Sequence, residues 1–120
     1  MRISVITTTF RRPEMLKRCI ESVRAQTHDD VEHIVVSDGF HAPTEEAVAG
    51  LLDSKGSRFE FMAVLWEGQA SAFNAGLRKA SGEACVLLND DDTLAPDWCR
   101  AGAEHMALDN CVLCYGDSQW

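Results

Sequence analysis

Apolar residues along this chain fall into short unbroken runs, separated by stretches in which they recur every three or four positions. Arg2 to Thr8 reads as a buried strand, and Pro13 with Glu14 suits the first turn of a helix. Met15, Leu16, Cys19, Ile20 and Val23 follow at helical spacing, which predicts one apolar face through about Gln26. His33 to Ser37 is a second strand, and Asp38-Gly39 a turn. Thr44 with Glu45 and Glu46 opens a second helix carrying Val48, Leu51 and Leu52, and Gly56 is its expected stop. Phe59 to Leu65 makes a third strand. A third helix starts at Gln69, carries Phe73, Leu77 and Ala80, and ends near Gly82. Ala84 to Leu88 is a fourth strand, Pro96 to Leu108 a fourth helix, and Cys111 to Tyr115 a fifth strand.

Strands that are apolar throughout, rather than alternating, are covered on both faces. With helices between them they predict an α/β fold: a mostly parallel sheet with helices on both faces, Rossmann-like in arrangement. The chain has 120 residues, which is one domain spanning 1–120. Ligands of such sheets bind outside the carboxyl ends of the strands. Four polar clusters stand there: Thr7-Thr8-Thr9-Phe10-Arg11, Ser37-Asp38-Gly39, Trp66-Glu67-Gly68-Gln69 and Asn89-Asp90-Asp91-Asp92. All four belong to one rim, so they are expected to converge.

Nineteen acids against eleven bases give a net charge of −8. Such a surface repels polyphosphate, so nucleic acid is not an expected partner. Three adjacent aspartates need either solvent or a cation, and a hard oxygen-seeking ion, Mn²⁺ or Mg²⁺, fits that donor set. The plainer reading is a solvated turn. An EF-hand loop is excluded, because counting from Asp90 puts Ala95 where glycine is needed and Ala101 where glutamate is needed. Asp38 can bond a base or ribose, Thr9 and Phe10 can line a base pocket, and Arg11 and Arg12 can meet phosphate or simply start a solvated helix. No GxGxxG or GxxxxGK[ST] is present. The four histidines share no ligand spacing with the five cysteines. Cys19 and Cys85 read as small core residues, and Cys111-Val-Leu-Cys114 lies in a strand-like run that suits neither a redox pair nor a zinc knuckle. The expected location is cytoplasmic, or peripheral to a membrane.

Ile3-Ser-Val-Ile-Thr-Thr-Thr-Phe-Arg-Arg-Pro-Glu14 resembles the opening of the family 2 glycosyltransferases of GT-A fold, whose pattern is close to SVIIPTYNRPE. Ser22-Val-Arg-Ala-Gln-Thr27 is similar to their SVLAQT, and Ile34-Val-Val-Ser-Asp-Gly39 to their IVVDDG. Gly68 to Gly76, Ala80-Ser-Gly-Glu83 and Leu88-Asn-Asp-Asp-Asp92 with Pro96-Asp97 resemble GQxxAxNxGxxxAxGExxxxLNxDD. The blocks keep the family's order and spacing along nearly the whole chain.

The resemblance implies a glycosyltransferase donor site for a nucleotide-diphosphate sugar, with transfer by inversion to a saccharide or lipid-linked acceptor. On it, Thr9, Phe10, Arg11, Asp38, Gln69, Asn89 and Asp90 contact the donor, and Asp91 and Asp92 hold the metal of a DxD motif. Thr8, Ser37 and Asn89 depart from the family's Pro, Asp and Asp; the first two leave base preference open. Family members continue well past this length, so the chain is expected to hold mainly the donor half. Asp117 does not match the family's general base, and no catalytic residue is named. Apolar surface left by an absent half predicts self-association. Two alternatives remain: a non-catalytic nucleotide-binding or assembly module of this fold, and a nucleotidyltransferase, which would want a glycine-rich loop after the first strand.

Overall fold

A computed structural model of the chain describes residues 1–51, 58–108 and 111–114. Eight elements alternate in order: β1 (Ile3–Thr9), α1 (Pro13–Arg24), β2 (Val31–Asp38), α2 (Ala42–Ala49), β3 (Arg58–Val64), α3 (Gln69–Lys79), β4 (Ala84–Leu87) and α4 (Trp98–Met106). The four strands form one parallel sheet in the order β3-β2-β1-β4. The chain therefore steps outward from β1 through β2 to β3, then returns across the sheet to place β4 on the other side of β1.

That reversal assigns the helices to faces. Leu16 and Ile20 of α1 pack with Val35 and with Val48 of α2, and Cys19 and Val23 of α1 pack with Ile3, Val5 and Cys99 of α4. On the opposite face Ala72 of α3 packs with Ile6, Ile34 and Val36. The expected parallel sheet with helices on both faces is what the chain forms. α3 lies closer to the sheet than its larger apolar residues suggest: Ala72 and Gly76 face it, whereas Leu77 is exposed. A Cβ at Gly76 would stand 2.5 Å from Ile6 Cγ2, so glycine is what permits this approach.

Two motif blocks act as ties below the rim. Glu32 accepts from Ser4 Oγ (2.5 Å), Ser81 N (2.6 Å) and Ser81 Oγ (2.8 Å), and Gly82 N donates to Ser4 Oγ (2.8 Å). A Cβ at Gly82 would lie 2.7 Å from Ser4 N and 2.9 Å from Arg2 O, against backbone that cannot give way. Burial raises the Glu32 pKa, but the Ser4 and Ser81 hydrogen bonds and the Arg2 charge outweigh it and leave the carboxyl below its ordinary value.

Several expectations need correction. Cys111–Cys114 form no strand: Val112 and Leu113 stand exposed, lining one cavity with Ala84, Cys85 and Val86 of β4 without pairing with it; Tyr115 lies outside the described residues. β4 is not covered on both faces, since Cys85 and Leu87 are exposed, so Cys85 is not a core residue. The helix layers explain this: α4 packs against Ala84 and Val86, whereas α3 packs on Ile6 of β1 and on Ile34 and Val36 of β2, leaving the face with Cys85 and Leu87 open. The second helix ends at Ala49 with Gly50 as its C-cap; Leu52 and Gly56 lie outside the described residues. Cys19 is buried as expected, and burial pushes its thiol pKa up to about 11.

His33 sits in the buried sheet with Nε2 sharing a 2.8 Å hydrogen bond with Thr7 Oγ1. Burial first, and the Arg24 charge second, bring its pKa down to about 3. An unfolded histidine titrates near pH 6.5, so below that pH the unfolded chain takes up a proton that the folded chain refuses. The stability from neutral His33 is complete above pH 6.5 and falls toward pH 3 by about 1.4 kcal/mol per pH unit. Urea melts at pH 7, 6 and 5 should show that slope, and His33→Gln should flatten it. A slope retained in the variant would assign the loss to carboxylates instead.

Candidate functional site

Strands on either side of a reversal diverge in their connections and leave a crevice at their carboxyl ends. Here the crevice lies between β1 and β4, where Thr9 ends one strand and the segment from Leu88 to Asp92 follows the other. Leu88 extends the pairing by one bond, donating its N–H to Ile6 O (2.9 Å).

The acidic segment is anchored from beneath by the end of α1. Ser22 Oγ accepts from Leu94 N (3.1 Å), Gln26 Nε2 donates to Ala95 O (2.7 Å), and Gln26 Oε1 accepts from Cys99 N (2.9 Å). Thr27 N adds a bond to Pro96 O (2.8 Å). The Ser22-to-Thr27 block is thus a clasp for the loop that carries the aspartates.

Asp90 points inward and is 1% exposed. Arg12 grips it with both edges of its fork, Nε to Oδ2 at 3.1 Å and Nη2 to Oδ1 at 2.5 Å, and Thr9 Oγ1 donates to Oδ2 at 2.8 Å. The third guanidinium nitrogen, Nη1, lies 3.6 Å from Asp91 Oδ2. Bringing Thr9 and Arg12 onto one carboxylate requires a sharp local turn, and Arg11 makes it with φ 55°, a left-handed conformation that non-glycine residues rarely adopt.

Asp38 ends β2 beneath the rim. Its Oδ1 accepts from the backbone N–H groups of Glu67 (3.2 Å) and Gly68 (3.3 Å), which fixes the carboxylate against the loop before α3. Gly39 at φ 88° provides the turn expected of Asp38-Gly39. Gln69 Nε2 donates to Asn89 Oδ1 (2.8 Å), linking the start of α3 to the acidic segment.

Of the residues singled out from sequence, Thr9, Phe10, Asp38 and Gln69 line one cavity of about 220 Å³ together with Thr8 and Arg12. Phe10, Arg11 and Asp38 also line an adjoining cavity of about 280 Å³ with Phe40 and Trp66. Asn89 joins through Gln69 and Asp91 through Arg12, while Asp92 is exposed and lines neither cavity. A larger groove, about 760 Å³, runs beside β3 and α3; it shares Gly39, Phe40 and Trp66 with the second cavity but holds none of the residues expected to contact donor or metal. Its position at the sheet edge, away from the switch point, makes it the weaker candidate.

Two residues near the rim were named from sequence without a donor contact being assigned to them. Trp66, in the cluster after the third strand, stacks parallel to Phe10, ring centroids 5.8 Å apart and planes 2° apart, yet is 74% exposed. Arg12, read as meeting phosphate or starting a solvated helix, is the residue that binds the rim together. An exposed tryptophan directly after a strand was the available signal for the first; nothing local marked the second.

Asp91 and Asp92 offer exposed hard carboxylate oxygens in the segment after β4, but no group of three or more His, Cys, Asp or Glu converges on a metal position among the described residues. One or two carboxylates, with phosphate oxygens and water completing the shell, is a donor set that suits Mg²⁺ or Mn²⁺. The residues present fit such an ion. No helix among the described residues is long and apolar enough to cross a membrane.

The model for glycosyl transferase family 2 matches residues 4–118. An uncharacterized glycosyltransferase of Nostoc sp. strain PCC 7120 is 35% identical over 96 residues, covering 80% of this chain and 30% of that protein. The GalNAc(5)-diNAcBac-PP-undecaprenol beta-1,3-glucosyltransferase of Campylobacter jejuni is 34% identical over 94 residues, covering 78% and 30%. The chain thus spans about a third of the length of these relatives. Among solved structures, the mannosyltransferase PcManGT of Pyrobaculum calidifontis, in complex with GDP-Man and Mn²⁺, aligns with a TM-score of 0.82 at 23% identity, over 90% of this chain and 33% of that one. S. aureus TarS residues 1–349, in complex with UDP-GlcNAc, aligns with a TM-score of 0.79 at 20% identity, over 88% and 31%. At these identities the structural likeness concerns the fold.

The buried fork has a measurable asymmetry. Arg12→Ala leaves an enclosed carboxylate with only the Thr9 hydroxyl, and should cost about 2–4 kcal/mol, since the arginine side chain was itself 47% exposed. Asp90→Asn keeps a hydrogen-bonding partner for a guanidinium that can reach water, and should cost about 1 kcal/mol. Urea denaturation checks both, and equal costs would mean that packing rather than charge is lost.

Proposed function

The chain belongs to glycosyl transferase family 2, and we propose that the crevice between β1 and β4 is the donor site of such an enzyme, taking a nucleotide-diphosphate sugar together with Mn²⁺ or Mg²⁺. Transfer with inversion to a saccharide or lipid-linked acceptor is part of the same proposal and concerns the whole enzyme, of whose relatives' length this chain spans about a third. The single observation that carries the reading is the convergence of the strands' carboxyl ends, with Thr9, Asp38 and Gln69 on one cavity wall, Asn89 tied to Gln69, and Asp90 and Asp91 tied to Arg12. That PcManGT was solved with GDP-Man and Mn²⁺, and TarS with UDP-GlcNAc, supports the choice of ligand class.

Each residue has a role that follows from its placement. Asp38, immobilised through Oδ1, accepts an N–H of the base with its remaining oxygen. Phe10 and Trp66 supply aromatic surface against the base, and Arg11 lies over the Phe10 ring at 5.5 Å. Gln69 and Asn89 orient each other beside the ribose. Asp91 and Asp92 hold the cation. Asp90 serves by position, because its oxygens are engaged by Arg12 and Thr9. When bound, the cation stabilises the negative charge on a departing diphosphate. It also reconciles an acidic rim with an anionic ligand.

Melting curves with UDP, GDP, CDP and dTDP, each with Mn²⁺ or with chelator, test this reading. A nucleotide at about a hundred times its dissociation constant adds roughly 2.7 kcal/mol, on the order of 10 °C for a domain of this size. One base should stabilise strongly, and only with Mn²⁺; Asp91→Asn should remove the metal-dependent part, and Asp38→Ala the preference among bases. No shift with any nucleotide would overturn the donor-site reading.

A further inference from the structure

We propose that Arg12 is a fixed counter-ion that makes the binding of cation and diphosphate mutually dependent; this rests on the donor-site reading above. A guanidinium presents its donors in one rigid plane. Two of the three Arg12 nitrogens are committed to Asp90, whose side chain is wholly enclosed, so the arginine cannot swing away without leaving a buried carboxylate unpaired. Nη1 is the nitrogen left over. It lies 3.6 Å from Asp91 Oδ2, an ion pair too long for a good hydrogen bond. The same side chain is 47% exposed and lines the cavity shared by Thr9, Asp38 and Gln69. Arg12 therefore stands as an immobile positive charge between the acid expected to take the cation and the space expected to take the donor.

The consequence is electrostatic. A cation arriving alone must draw Asp91 away from Nη1 and remain beside a guanidinium that cannot retreat. A diphosphate arriving alone meets Asp91 and Asp92. When both arrive, Asp91 faces the cation, and Nη1 is released to donate to a phosphate oxygen. Arg12 thereby touches the diphosphate only in the fully loaded site, and each ligand raises affinity for the other by the same factor. A residue that merely held the fold together would lower both affinities and leave that factor alone.

The test uses the full chain and three forms: unaltered, D90N, and R12Q/D90N, the last keeping a neutral hydrogen-bonded pair in place of the buried ions. Free Mn²⁺ is counted by electron paramagnetic resonance, with the protein alone and with each of UDP, GDP, CDP and dTDP, and the nucleotide arm is repeated by calorimetry. The unaltered chain should bind Mn²⁺ at least about tenfold more tightly with its preferred nucleotide. D90N retains the guanidinium and should retain most of that factor. In R12Q/D90N the factor should fall to about threefold or less, with Mn²⁺ alone bound no more weakly than by D90N. If circular dichroism shows that R12Q/D90N does not fold, Arg12→Lys takes its place. Its single ammonium, held by Asp90, has no second nitrogen for phosphate, so the same fall is expected. An unchanged factor in the Arg12 variant overturns this inference while leaving the donor site intact. No tightening by any nucleotide in the unaltered chain overturns the donor-site reading, and this inference with it.

Discussion

A carboxylate enclosed by protein is costly unless it is paired and hydrogen-bonded, and Asp90 is enclosed. The pairing it requires reaches 78 residues back to Arg12 and 81 back to Thr9. Those partners occupy the end of β1 and the entrance to α1, so one side chain fixes a strand end, a helix start and the acidic loop in a single arrangement. The left-handed turn at Arg11 is the local strain that this arrangement imposes. Besides this tie, the acidic segment is held by the Leu88 backbone bond, the Gln69–Asn89 contact and, farther along, the clasp from Ser22, Gln26 and Thr27. The crevice has a defined shape because a buried charge gives its surroundings no alternative.

β1 and β2 were legible because burial on both faces leaves an unmistakable mark; β3 and β4, the edge strands, were read from the same kind of run but contain no buried residue. β1 is buried at every position, and β2 from His33 onward, which is what their unbroken apolar runs predict. The family-like blocks were legible as patterns, and the structure supplies their physical reasons. Ser22 and Gln26 clasp the segment from Leu94 to Cys99, and Ser81 and Gly82 lock the start of β4 onto Ser4 and Glu32. These are bonds between distant segments, so the sequence shows the residue types but not their partners. The convergence of the polar clusters followed from topology alone, since carboxyl ends of parallel strands share one rim.

Other features depended on information that no local window holds. The apolar run of β4 resembles those of β1 and β2, yet α3 packs over β1 and β2 and leaves Leu87 58% exposed. Strand composition reports what a segment tolerates, and the helix laid over a face decides whether it is covered. The run from Cys111 to Cys114 makes the same point more sharply: it lies beside β4 without becoming a strand. Within the aspartate cluster, nothing in the sequence distinguishes the buried Asp90 from the open Asp91. The distinction comes from Arg12, and a lone arginine at a helix start is ordinarily solvated.

A chain of net charge −8 is a poor starting point for binding an anion, and the rim does not answer this with a basic patch. Among the described residues, several other bases pair with acids on the periphery, as Arg2 and Arg58 do with Asp30, and Lys79 with Glu60. At the crevice the arginines are Arg11, turned toward Phe10, and Arg12, half neutralised by Asp90. Local positive charge is thus held to less than an anion would need by itself, while Asp91 and Asp92 hold local negative charge to less than a cation would need by itself. On the proposed donor-site reading, such a balance disfavours phosphate alone and metal alone and favours the neutralised pair of them. Selectivity of this kind comes from withholding charge rather than from adding contacts. It requires the Arg12 guanidinium to stay where it is, which the burial of Asp90 enforces.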